Sequence, residues 1–154
     1  MNRALRSTRL MLSVLVTAAA CGAANAEFRQ TVDVATVAFE GPSATAARQY
    51  VYSRGTPLEV VVQIEGWFKV RDVQGELVWV ERKALGARTN VVVKTAVAEV
   101  YAAPDVASPI VFRAENGVTL QLVTPQTADA GAWAQVRHRD GQVGFMRLDT
   151  LFGF

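Results

Sequence analysis

Apolar and polar residues alternate in short runs bounded by turn residues. Leu58, Val60, Val62 and Ile64 fall on one side of a β-branched stretch at a period of two, the spacing of a strand with one buried face. Trp67–Arg71 alternates Trp67, Lys69 and Arg71 against Phe68 and Val70. A turn signal follows at Gln74-Gly75, and Leu77–Val80 is the next strand. The same order recurs downstream: a strand from Thr119, a longer loop through Gly131, a strand over Trp133–His138, an Asp140-Gly141 turn and a strand over Val143–Met146. Gly41–Arg54 and Ala102–Asn116 are mixed in character and read as extended loops. Gly86–Asn90 reads as a short polar linker, and Trp79 and Phe145 as barrel-filling residues.

The recurrence is a duplication. At an offset of 66, Trp67 aligns with Trp133, Val70 with Val136, Arg71 with Arg137, Gly75 with Gly141, Trp79 with Phe145 and Leu85 with Leu151. Upstream the offset is 62, and Phe39 aligns with Tyr101, Pro42 with Pro104, Gly55 with Gly117 and Leu58 with Leu120. The change of four places an insertion in the second copy, near Thr127–Ala130. A fixed period reports repeated architecture directly. Copy one runs over residues 27–86 and copy two over 90–154. Units this small gain from closing their sheets and packing on each other. The short linker predicts a tight pair.

The run Gly66-Trp67-x-x-Val70-Arg71, Gly75, Trp79-Val80 and Leu85 resembles the bacterial SH3 (SH3b) domain. Trp133-x-x-Val136-Arg137, Gly141 and Gly144-Phe145-Met146 resemble it again. Val78 stands where the family often has Gly, and Ala132 where Gly precedes Trp. The resemblance implies an all-β chain of two small five-stranded SH3-like barrels in tandem. It also implies a non-catalytic module acting near cell-wall peptides or envelope proteins.

Composition adds an address. Arg3, Arg6 and Arg9 precede the uncharged run Leu10–Ala20, and Ala24-Asn25-Ala26 is a small-x-small pattern. This is the tripartite order of a cleaved signal peptide over residues 1–26, cut after Ala26. The apolar run of about 11 residues is short of the roughly 20 that span a bilayer. Lipoprotein processing at Cys21 is the alternative, but Ala18-Ala19-Ala20 lacks the expected Leu. Export to a periplasm follows, with no stable membrane span after processing. Beyond residue 26 the chain has 13 basic and 14 acidic residues, which argues against a nucleic-acid partner. One Cys and one His, Cys21 and His138, exclude Cys/His metal sites and Cys–His dyads within the chain. No cofactor, metal site or catalytic motif is expected, and the protein reads as not an enzyme.

The candidate ligand-binding residues are aromatic and cationic. The resemblance implies that Trp67 and Trp133 face a ligand groove, where they pack over an extended peptide or a sugar face. Tyr50 and Tyr52, two apart, would face one way and join Trp67 in the better groove. Arg71 and Arg137 occupy matched positions as carboxylate forks. The expected ligand is a peptidoglycan peptide or an envelope protein. The competing reading is a structural adaptor whose barrels pack together and bind a protein by another surface. The terminal Leu151–Phe154 is expected to pack on a barrel surface or on the other unit.

Overall fold

A computed structural model of the chain describes residues 26–123 and 131–154. The expected insertion near Thr127–Ala130, and the signal segment up to residue 25, lie outside the described residues. The fold is all-β. The first unit contains β1 (Glu27–Thr31), β2 (Ala35–Phe39), β3 (Arg48–Ser53), β4 (Pro57–Ile64), β5 (Trp67–Arg71), β6 (Leu77–Glu81) and β7 (Leu85–Ala87). The second contains β8 (Asn90–Val93), β9 (Val97–Tyr101), β10 (Ile110–Glu115), β11 (Thr119–Leu122), β12 (Trp133–Arg137), β13 (Val143–Arg147) and β14 (Leu151–Phe152). One sheet runs β3-β2-β6-β5-β4-β1-β7 and the other β10-β9-β13-β12-β11-β8-β14. The two orders are identical when each label is advanced by seven.

Each unit therefore has seven strands rather than five. The stretches expected to be loops contain β3 and β10. Both are edge strands, each held by one neighbour, so each carries a mixed rather than an alternating pattern. The expected linker shrinks to Arg88 and Thr89, because β7 and β8 take up its ends.

Each sheet buries one face. The first core holds Ala38, Leu58, Phe68, Val70, Val78 and Val80. The second holds Val100, Leu120, Ala134, Val136, Met146 and Leu151. Phe68 and Ala134 are counterparts, as are Val80 and Met146, so volume lost at one position is partly regained at another. Phe68 is further flanked by two guanidinium groups, Arg29 at 5.4 Å and Arg82 at 4.9 Å from its ring centre.

The β5–β6 and β12–β13 hairpins turn alike. Asp72 N–H donates to Glu76 O and Gly75 N–H to Asp72 O. His138 N–H donates to Gln142 O and Gly141 N–H to His138 O. Gly75 and Gly141 sit at φ of 92° and 91°, where only glycine is unstrained.

The two units dock. Gln30 Oε1 accepts from Thr89 N–H at 2.8 Å, from Asn90 N–H at 3.1 Å and from Thr89 Oγ1–H at 3.2 Å. Asn90 Nδ2–H donates to Gly55 O at 3.0 Å, and Arg88 Nη1–H to Gly153 O at 2.6 Å. Phe28 and Phe152 meet edge to face at 5.2 Å. The terminal aromatics do pack as expected, Phe152 on the first unit and Phe154 against the second core.

Candidate functional site

The side of the sheet opposite the core carries a group of aromatics that recurs in both units. On β5, Phe68 and Val70 point inward, so Trp67, Lys69 and Arg71 point outward. On β6, Val78 and Val80 are buried, which turns Trp79 outward as well. Trp79 and Phe145 therefore do not fill the barrels. Their smaller neighbours occupy the inward phase, and a two-residue period sends the aromatic to the other face. Phe39 lies opposite Trp79, and Trp79 opposite Lys69, in the ladder. The Trp67 ring meets Phe39 edge to face at 5.5 Å, and Lys69 Nζ lies 5.9 Å from the Trp79 ring centre. The second unit repeats the group: Tyr101 lies opposite Phe145 and meets Trp133 edge to face at 5.6 Å. Tyr101 O–H also donates to Glu99 Oε2 at 2.7 Å. That bond holds the Glu99 carboxyl below its ordinary range and, together with burial, the Tyr101 phenol above its own.

A cleft of about 510 Å³ opens beside Trp67, lined by Gly66, Trp67, Glu81, Arg82 and Lys83. A second cleft of about 260 Å³ shares Glu81 and Lys83 and continues to Val37 and Phe39. Trp67 lines the first and Phe39 the second, and the charges around them are mixed, Arg82 and Lys83 against Glu81 and Asp33. Arg82 is placed by its own backbone, whose N–H donates to Gly66 O, and by its guanidinium, which donates to Ile64 O. Lys83 Nζ pairs with Glu81 at 2.6 Å.

Tyr50 and Tyr52 lie on β3 and stack with ring centres 6.2 Å apart, as their spacing predicts. Tyr52 O–H donates to Asp72 Oδ2 at 2.9 Å. Asp72 follows the last residue of β5, whereas Trp67 is its first. The structure thus ties Tyr52 to one end of β5 and sets Trp67 against Phe39 at the other. Asp72 is 5% exposed, and its Oδ1 also accepts from the N–H groups of Gln74 and Glu76. Burial first, and the bond to Asp72 second, push the Tyr52 phenol far above its ordinary value.

The matched arginines differ. Arg71 faces Glu59 across the ladder and binds its Oε2 at 3.0 Å. Arg137 faces Gln121 at the corresponding place and is exposed. A cleft of about 350 Å³ adjoins it. His138, the counterpart of Asp72, lies 5.6 Å from Phe112 ring to ring and places Nδ1 3.1 Å from Asp140. Among the described residues, no three His, Cys, Asp or Glu side chains gather as a metal site. No described helix is long and apolar enough to cross a membrane.

The duplicated seven-strand sheet with its outward tryptophan defines a tandem of small SH3-like units. The family profile of the bacterial SH3 domain matches residues 32–86 and again 94–153, and the chain belongs to that family. No curated protein matches the chain significantly. Among solved structures, NlpC1 from Trichomonas vaginalis is 16% identical with a TM-score of 0.39, covering 92% of this chain and 50% of its own. NlpC2 from the same organism is 15% identical with a TM-score of 0.38, covering 84% and 49%. An NlpC/P60 family protein from Bacillus cereus is 14% identical with a TM-score of 0.37, covering 82% and 56%. The chain spans about half the length of these solved proteins.

Sequence reasoning singled out both tryptophans but not the partners that complete each group. The repeat aligns Phe39 with Tyr101 and Trp79 with Phe145, so the signal lies in the sequence. What it lacked was the inward phase of β6 and β13.

Proposed function

We propose that the protein is an exported, non-catalytic module that binds a cell-wall peptide through the cleft beside Trp67. The observation that carries this reading is the Trp67 ring, set edge to face on Phe39, in a cleft that Arg82 and Lys83 also line beside Glu81. An extended peptide bearing carboxylates would lay its backbone and apolar parts over the rings and its charges at the rim. Trp133, with Tyr101 and Phe145, marks a second and weaker face. Tyr50 and Tyr52 extend the first site only for a ligand long enough to reach β3. Residues 1–26 would direct the chain to the periplasm and be removed after Ala26.

Sedimentation of residues 27–154 with purified sacculi tests the reading. The wild type is expected to pellet with the wall, and Trp67→Ala to remain in the supernatant while keeping its β-sheet circular dichroism. Trp133→Ala is expected to lose less. Absence of pelleting by the folded wild type would sink direct wall binding. The adaptor reading would then gain ground, favoured by the side-chain and ring contacts that fix one unit on the other. An envelope protein would be its partner.

A further inference from the structure

The duplication supplies an internal control for charge. In the first unit Glu59 of β4 lies across from Arg71 of β5 and neutralises it at 3.0 Å. In the second unit the same ladder position pairs Gln121 of β11 with Arg137 of β12. The exchange of Glu for Gln puts a neutral amide beside the arginine in place of a carboxylate and removes the negative charge. Arg137 has no ion-pair partner among the described residues, and its side chain borders a cleft of about 350 Å³.

That cleft is suited to an anion. Thr119, Gln121, Arg137, His138 and Arg139 contribute to its lining, and among the described residues no carboxylate does. Asn90 also lines it, with one of its two Nδ2 hydrogens donated to Gly55 O. Asn90 therefore fixes the wall where the second unit meets the first. The nearest acid in the turn is Asp140, which is 66% exposed, contacts His138 Nδ1 at 3.1 Å and stands 3.9 Å from Arg139. Asp140 holds His138 and part of Arg139, while Arg137 keeps its planar fork of donors open.

We infer that this cleft is a carboxylate-binding site centred on Arg137, separate from the cleft beside Trp67. Its ligand is a peptide with a free C-terminal carboxylate. The carboxylate sits on the Arg137 fork beside Gln121 and supplies the negative charge that Glu59 supplies to Arg71 in the first unit. Gln121 and Thr119 offer hydrogen bonds to the adjoining peptide group. One exposed arginine fork in open solvent supports a dissociation constant on the order of millimolar.

The test is an NMR titration of residues 27–154 with acetyl-alanyl-alanine, free or amidated at its C-terminus, and with inorganic phosphate. The free acid is expected to shift the backbone amides of Gln121, Arg137 and His138 saturably, and the amidated peptide to leave them in place. Gln121→Glu recreates the pairing of the first unit and is expected to weaken binding about tenfold or more without removing a cation. Saturable shifts that survive Gln121→Glu, or equal binding of the amidated peptide, would overturn the inference. So would tighter saturation by phosphate, which would reassign the site to phosphoryl groups. None of these outcomes depends on wall sedimentation or on Trp67.

Discussion

Tyr52 and Asp72 show how one residue can act at a distance in sequence. The bond from the Tyr52 phenol ties the edge strand β3 to the β5–β6 turn. Replacing Tyr52 with Phe leaves Asp72 Oδ2 without that donor, and is expected to cost about 1–3 kcal/mol. Urea unfolding would measure it, and an unchanged midpoint would mean the bond contributes nothing. The raised phenol also sets a pH dependence. The folded state holds the proton more tightly than the unfolded chain, whose tyrosine titrates at 10.0. This contribution is fully present below that pH and is lost as pH climbs above it towards the folded value. The wild type is therefore expected to lose stability steeply above about pH 10, and Tyr52→Phe to show a flatter alkaline limb. The second unit has Ala114 and His138 at these two places, so its edge strand is held differently. Neither the bond nor its absence can be read from the residues, because Tyr52 and Asp72 are partners only after β3 has paired with β2.

At the scale of the element, the hydrophobic period was legible wherever a strand has two neighbours. β5 spans the residues its alternation predicts, and β12 and β13 depart by one residue at their C-terminal ends. β4 departs from its pattern midway. The register slips between Val60 and Val62, so that Val60 faces Val70 and Val62 faces Lys69. One extra residue in a strand reverses the phase beyond it. Leu58 is buried, while Val61, Val62 and Ile64 all emerge, at 42%, 41% and 39% exposure, because beyond the slip the strand runs past the core. β13 makes the opposite demand, because Gly144 lies against β9 where Val78 fits in the first unit. A Cβ there would stand 2.6 Å from Val100 Cγ1 and 2.7 Å from Tyr101 O. The carbonyl oxygen is backbone and cannot step aside without opening the ladder. Gly144→Ala is expected to cost about 1–3 kcal/mol by overpacking, and thermal unfolding followed by circular dichroism would read it. A wild-type melting temperature in that variant would show that β13 and β9 can separate freely.

In the whole molecule, the joint between the units governs what the pair can do. Gln30 gathers three donors from Thr89 and Asn90, and Gly153 lies at φ of 104° beside Pro57. A two-residue connection with contacts on both sides leaves little freedom between the two aromatic faces. Residues 27–154 are expected to unfold in a single calorimetric transition. Gln30→Ala removes the acceptor shared by the exposed Thr89 and half-buried Asn90 N–H groups, and is expected to cost about 0.5–1.5 kcal/mol and separate the transition into two. One unaltered transition in that variant would show that the units are coupled by other contacts.

The sequence by itself determined the duplication, the all-β class and the hairpin turns at Gly75 and Gly141. These depend on residue identity at fixed spacing, which survives without any long-range partner. Only the tertiary structure decided the edge strands, the phase of β4, the company that Trp67 keeps and the difference between Arg71 and Arg137. Each of those depends on which strand lies alongside which. An antiparallel ladder brings Glu59 to Arg71 and Gln121 to Arg137 only when the sheet has closed its register. Side chains distant in the chain meet there, and no local pattern records the meeting.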